Sequence, residues 1–450
     1  MVREKTAVVV FPPLNMPTSP PLGAAMLKGF VERELPGWRV QILDLNLWTF
    51  DRLLGALARG QFHLDPQAFP EGFQAAADLL DAADAFRGKN PEAFFDRPDL
   101  YNRHGEVFLR FTETYTQAIN QECEAHLAGG PRSPLIQEFL DAILAEKPDV
   151  VGFSMIFSNQ LPVGALLGKL LRKEHGLPVL FGGSCFADSA EHFLKWYSES
   201  ADIVVAGEGE DALKQYLSDP SAPEKVPGAV YFEKDGSVRK VEKAYSKGID
   251  YYGVPDFSDT DPKRYFSPEP VVPLLLSRGC YWRRCTFCVH YRSAGLTYRM
   301  HSMDFTIQML KDFADKGIRN FAFIDEMISP PHFQRLAKGI REAGLDIAYY
   351  ALTKPTRDFS SENLVHMAES GCKYLLWGLE SGHQRVLDLM DKGSKIEDVS
   401  WVLKRSYAAG INNHVFISLT KPILADIMRG ERRFPHEPAY RLQLHQVFDR

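Results

Sequence analysis

Cys280, Cys285 and Cys288 fall within nine positions, directly after the apolar run Val272–Leu276. This C-x4-C-x2-C loop constrains the chain more than any other feature. A loop that gathers three sulfur ligands needs a rigid element behind it, and the carboxyl end of a barrel strand is where such loops build active sites. Three thiolates at this spacing match three irons of a [4Fe-4S] cube, whose usual ligand is cysteine, and leave the fourth iron open. Two other readings stand beside this one. A zinc site normally takes four ligands in two separated pairs, and its fourth ligand here would be distant, because His290 is too close to Cys288 to close a tetrahedron. The third reading is chance clustering. Only six cysteines occur in the 450 residues, so a reduced compartment and a metal site fit better than a disulfide framework.

The length calls for two or three domains. In the first, Ala7–Phe11, Val40–Leu45, Val150–Ser154, Pro178–Phe181 and Ile203–Ala206 read as short strands. Helical stretches over about 22–34, 161–173 and 211–217 separate them. That alternation predicts a parallel sheet with helices on both faces. Residues 48–146 carry little strand signal and read as a helical insertion. Lys234-Asp235-Gly236 predicts a hairpin between Gly228–Phe232 and Ser237–Val241. Five prolines between Tyr251 and Pro273 mark a linker. A second series follows, with strands expected at Val272–Leu276, Phe321–Ile324, Ile347–Leu352, Tyr374–Gly378 and Val415–Ile417. Five such steps predict a partial (β/α) barrel, short of the roughly 250 residues of a full one. The domain map is then 1–245, a linker at 246–270, the barrel at 271–419 and an atypical tail at 420–450. No sixth strand is expected in the tail, so the barrel reads as truncated at its C-terminus.

With the cysteine loop, Phe287 and Gly378-Leu379-Glu380-Ser381-Gly382-His383 in place, residues 270–419 resemble the radical S-adenosylmethionine (SAM) superfamily. One departure is the spacing, since the usual pattern is C-x3-C-x2-C. The resemblance implies that Cys280, Cys285 and Cys288 hold a [4Fe-4S] cluster and that SAM binds its open iron. Reductive cleavage would then yield methionine and a 5′-deoxyadenosyl radical that abstracts hydrogen from the substrate. It also implies that Phe287 packs on the adenine and that Asp325 and Glu326 lie near the SAM amino group. Glu380 and Ser381 would meet the ribose or the methionine end. Arg278, Arg283, Arg284, Arg292 and Arg299, with no acid among residues 278–302, read either as a positive rim for the SAM carboxylate or as surface cations paired elsewhere.

The first domain resembles the cobalamin-binding domain that precedes the barrel in one subclass of this superfamily. The fold class is thus α/β, a Rossmann-like cobalamin-binding domain with a helical insertion, followed by a partial radical SAM barrel. Ser154 with Ile156, then Gly182-Gly183, are similar to the elements that hold the nucleotide tail of cobalamin. Glycines after a parallel strand let a backbone approach a bulky ligand. The D-x-H-x-x-G element is missing, since the chain reads Asp44-Leu45-Asn46 after its second strand. Asn46 stands where histidine would be, and an amide is a poor metal ligand. Cobalamin is expected without a protein histidine.

The reading that results is a cytoplasmic, cobalamin-dependent radical SAM enzyme, a methyltransferase at an unactivated carbon. A radical SAM enzyme of another reaction type and a non-catalytic cofactor-binding protein are the alternatives. The substrate would be a small molecule or a peptide, and flavodoxin or ferredoxin the electron donor. A net charge of −6 gives no general attraction to nucleic acid, and no apolar run is long enough to span a bilayer.

Overall fold

A computed structural model describes residues 4–13, 15–61, 63–65, 67, 69, 74–89, 97–288, 295, 297–418 and 441–445. It contains two compact units, residues 1–246 with 252–271, and residues 247–251 with 272–450.

The first unit is built on a seven-stranded sheet: β1 (Lys5–Phe11), β2 (Trp38–Asp44), β3 (Val150–Ser154), β4 (Val179–Gly182), β5 (Ile203–Val205), β6 (Ala229–Phe232) and β7 (Val238–Lys240). Their order is β2-β1-β3-β4-β5-β6-β7. The pairs from β2 through β5 are parallel, and β6 and β7 add antiparallel. A parallel strand covered on both faces must be apolar throughout, and Ala7 to Phe11 on central β1 are all buried. The strand order reverses between β1 and β3. In open sheets of this order, ligands bind outside the carboxyl ends of the strands at that point.

Among the described residues, the segment between β2 and β3 carries the helices Leu45–Ala58, Ala75–Phe86, Pro98–Leu127 and Pro134–Ala145. Asp44 starts the first of these by accepting the Leu47 N–H at 2.9 Å, which satisfies one of the free donors of a helix start. Phe50 packs on Phe108 and Phe111 at 6.0 and 5.6 Å, fastening the first and third of these helices together. The proline-rich stretch read as a linker joins this packing. Tyr252, Tyr265 and Phe266 are buried, and Phe266 lies 5.0 Å from Phe108. The Asp-Gly hairpin forms as expected, with Gly236 at φ 83° and Glu233 N–H bonded to Ser237 O at 2.8 Å.

The second unit carries β8 (Val271–Leu274), β11 (Asn320–Phe323), β12 (Ala348–Thr353), β13 (Cys372–Glu380), β14 (Asn412–Ser418) and β15 (Arg441–His445) in one open sheet. A small ladder joins β9 (Ser277–Arg278) to β10 (Arg299–Met300). The strands from β11 to β15 run parallel. On β12 the alternation is plain: Tyr349, Ala351 and Thr353 are buried, while Tyr350, and Ile324 after β11, remain exposed. The five expected strands are all present. The expectation of no sixth strand is corrected, because Arg441–His445 pairs with β14 from His414 to Ser418. Leu442 and Leu444 alternate there with polar residues, a two-residue period too short to stand out in a polar tail. Residues 419–440 lie outside the described residues.

Candidate functional site

In the second unit the cysteine loop leaves β8 through β9 and turns at Gly279, whose φ of 84° only glycine adopts freely. Arg283 takes φ 52°, so the long gap between Cys280 and Cys285 is folded through a left-handed residue. None of the three cysteines is in a disulfide, and all are half-buried. A turn formed by Met390 to Gly393 grips the loop. Met390 O accepts the Thr286 N–H at 3.0 Å, Asp391 O accepts the Trp282 indole N–H at 2.7 Å, and the Asp391 carboxylate takes Arg284 Nε at 2.9 Å. Gly393, at φ 66°, lies so close under Trp282 that a Cβ there would fall inside the indole ring.

Two lysines that sequence reasoning passed over stand in this grip. Lys354, directly after β12, is 2% exposed, lies 3.5 Å from the Trp282 ring centre and donates to Lys392 O at 3.1 Å. Lys392 donates to Glu380 Oε1 at 2.9 Å, with both side chains largely buried. Burial, with Lys392 next in weight, lowers the Lys354 ammonium to about 8, against the pull of Cys285 and Cys280. Burial raises the Cys285 thiol, and Lys392 opposes that rise. The available signals were a Lys-Pro pair at a strand end and an Asp-Lys-Gly turn, both weak alone.

The other expected residues divide. Phe287 is 48% exposed, an aromatic side chain open to solvent between Cys285 and Cys288. Glu380 sits at the carboxyl end of β13 with φ 69°, and Ser381 Oγ accepts the His383 N–H at 3.2 Å. Glu326 is half-buried. Asp325 turns inward instead. It is 2% exposed and accepts the Leu276 N–H and the Ser277 hydroxyl, and burial pushes it up to about 6. It braces the strand that launches the cysteine loop. The arginine rim is not uniform, since Arg284 is paired with Asp391 and Arg299 is buried. Arg292 and His290 lie outside the described residues.

Among the described residues, no three His, Cys, Asp or Glu side chains converge as one metal ion would require. A mononuclear zinc needs that convergence. A cube needs less, because each thiolate meets a different iron, so a loop of three separate thiols fits the cluster better.

In the first unit Ser154 and Gly182 are register partners at the carboxyl ends of β3 and β4. Gly183 has φ 112°, and a Cβ there would collide with Met155 O, so the chain passes where only glycine fits. Gly23, in the first turn of helix Leu22–Glu34, presses on Ser154 Oγ, 3.1 Å from where its Cβ would be. Gln160, fully buried, accepts Ile156 N–H and Phe157 N–H at 2.9 and 3.1 Å. It donates to Pro12 O at 2.6 Å, so it ties the loop after β3 to the loop after β1. Asn46 is 2% exposed and accepts the Asn15 N–H at 2.7 Å. Its amide oxygen already holds a loop. Ile156 and Phe157 are each 44% exposed at this edge, a cover for an apolar ligand face. Glycine cradle, braced loops and exposed apolar cover are the features that a large corrinoid would need.

Residues 116–217 match the B12 binding domain, and residues 274–423 match the radical SAM superfamily. The chain is 28% identical over 317 residues to the cytidylyl-2-hydroxyethylphosphonate methyltransferase of Streptomyces wedmorensis, covering 61% of this chain and 58% of that one. It is 24% identical over 253 residues to an uncharacterized methyltransferase of Pyrococcus horikoshii, covering 55% and 54%. The fold also resembles the cobalamin-dependent S-adenosylmethionine radical enzyme OxsB with aqua-cobalamin bound. There the TM-score is 0.63 at 16% identity, over 92% of this chain and 49% of that one. The chain thus spans about half the length of these relatives. With both domains matched in the order the two folded units present them, the chain carries a B12 binding domain followed by a radical SAM domain.

Proposed function

We propose that this chain reductively cleaves SAM at a [4Fe-4S] cluster held by Cys280, Cys285 and Cys288, and methylates a carbon of a small molecule or peptide with cobalamin. The observation that carries this reading is the loop of three half-buried cysteines outside any disulfide at the end of β8, gripped by Met390–Gly393, in a chain that also carries a B12-binding domain. When bound, the cluster with SAM supplies a substrate radical, and cobalamin supplies the methyl group. The protein's part is positioning. Trp282, Arg284 and Thr286 dock the cysteine loop on its turn. Phe287 offers a face for the adenine, and Glu326, Glu380 and Ser381 offer polar contacts to the rest of SAM. Asp325 acts through Ser277 and Leu276, by fixing the strand end. In the first unit Ser154, Gly182 and Gly183 line the cradle for the nucleotide tail, and buried Asn46 leaves cobalamin without a histidine from that position.

A radical SAM enzyme needs a substrate and a reductant. We assign flavodoxin or ferredoxin to the second role and the cytoplasm as the compartment. Among the described residues no helix is long and apolar enough to cross a membrane. We keep the division at 1–245, 246–270, 271–419 and 420–450 as the working domain map. The test is anaerobic incubation of the reconstituted full chain with methyl-deuterated SAM, reductant, cobalamin and a cell extract. Formation of 5′-deoxyadenosine together with a product three deuterons heavier supports the proposal. Deoxyadenosine without label transfer would favour another radical reaction, and neither product would favour a non-catalytic protein.

A further inference from the structure

Two ammonium groups buried beside one cysteine loop are costly unless something offsets them, because an unpaired charge out of water loses its hydration. Lys392 has Glu380 at 2.9 Å. Lys354 has a carbonyl, Lys392 O, and the face of Trp282, and it interacts electrostatically with Cys280 and Cys285. Lys392 also lies 5.9 Å from the ring of Phe287, on the segment between Cys285 and Cys288, and acts on Cys285. Lys354 thus meets the loop at Trp282, before Cys285 in the chain, and Lys392 meets it at Phe287, after Cys285. Arg284 is farther out, its side chain 63% exposed and paired with Asp391, so water screens it.

We propose that Lys354 and Lys392 set the reduction potential of the cluster on Cys280, Cys285 and Cys288, with Glu380 weakening the effect of Lys392. Reduction adds one negative charge to the cluster. A fixed positive charge nearby favours the reduced form, and burial strengthens the effect because the local dielectric is low. Lys354, with no carboxylate bonded to its ammonium in the contacts described, is the stronger of the two. The inference rests on the assignment of the three cysteines to the cluster.

The experiment is a redox titration of the anaerobically reconstituted full chain without SAM, followed by electron paramagnetic resonance, with iron counted in each sample. At a fixed potential, Lys354→Met is expected to lower the ratio of reduced to oxidised cluster about tenfold, which is a midpoint shift of about 59 mV downward for one electron. Lys392→Met is expected to shift the ratio in the same direction. Glu380→Gln removes a negative charge at nearly constant shape and is expected to raise the ratio at least threefold. Lys316→Met, on the exposed end of an outer helix, is expected to leave it unchanged. Packing damage alone would not give opposite signs for Lys392→Met and Glu380→Gln, so this pair decides the matter even if Lys354→Met binds iron poorly. Ratios within twofold of the parent in every variant, at full iron content, would overturn the inference. So would shifts of one sign in both members of the pair. A cluster that survives loss of all three cysteines would instead overturn the assignment beneath it.

Discussion

Replacing Gly393 by alanine attacks the grip on the cysteine loop without touching a cysteine. Gly393 has φ 66°, and its missing side chain makes room for the Trp282 ring. An alanine there bears about 1–2 kcal/mol for the left-handed backbone. Forcing the indole aside adds about 1–3 kcal/mol of overpacking. Losing the bond from the indole N–H to Asp391 O adds roughly 0.5–1.5 kcal/mol. The combined effect of about 2.5–6.5 kcal/mol falls on the docking of the loop and is worth at least about sixtyfold in its equilibrium. The Thr286 N–H, bonded to Met390 O, reports that docking by hydrogen exchange. Its protection is expected to fall about a hundredfold and iron uptake to fall with it, while the first unit exchanges as before. Gly344→Ala is the control. Its φ of 62° is also left-handed, but nothing lies within 4 Å of the added carbon, so only the backbone term applies. Wild-type protection at Thr286 and full iron content in Gly393→Ala would refute the reasoning.

Two further outcomes are expected in the first unit. Gln160→Ala leaves Ile156 N–H, Phe157 N–H and Pro12 O without their partner, at about 1–3 kcal/mol for each buried group. It is expected to weaken cobalamin binding at least tenfold by calorimetry with iron content unchanged, and equal affinity would remove Gln160 from the cradle. Asp44 is half-buried, and its removal from water raises its carboxyl from 3.8 to about 6, so between those values the folded chain holds a proton that the unfolded chain has lost. Its contribution to stability is therefore greatest below about pH 4 and declines as pH rises to about 6. Relative to Asp44→Asn, wild type is expected to lose up to about 3 kcal/mol between pH 4 and 7 in denaturant titrations of the full chain, and a flat difference would contradict this.

What the sequence made legible was whatever is encoded locally. The five expected strands of the second unit each announce themselves by a short apolar run, and the Asp-Gly hairpin and the cysteine loop are complete within a dozen residues. The grip on the loop is not local. Trp282 and Asp391 are 109 positions apart, and neither type at either place signals the other. Lys354 and Lys392 read as ordinary surface cations until the fold buries them. Asp325 shows the converse case. A carboxylate at a strand end looks like a ligand contact, but here the donors of the neighbouring strand end, Leu276 N–H and Ser277 O–H, claim it first. The proline-rich stretch reads as a linker from its five prolines, but five aromatics stand among them, and Tyr252, Tyr265 and Phe266 are buried.

The measurement that tests the account most directly is iron and Mössbauer analysis of the anaerobically reconstituted full chain beside a variant with Cys280, Cys285 and Cys288 all replaced by alanine. The account expects four irons per chain in a [4Fe-4S] signal for the parent. It expects no cluster-bound iron in the variant, with the folding of the first unit unchanged. A full cluster in the variant, together with its loss when Cys123, Cys185 or Cys372 is replaced, would contradict the central claim.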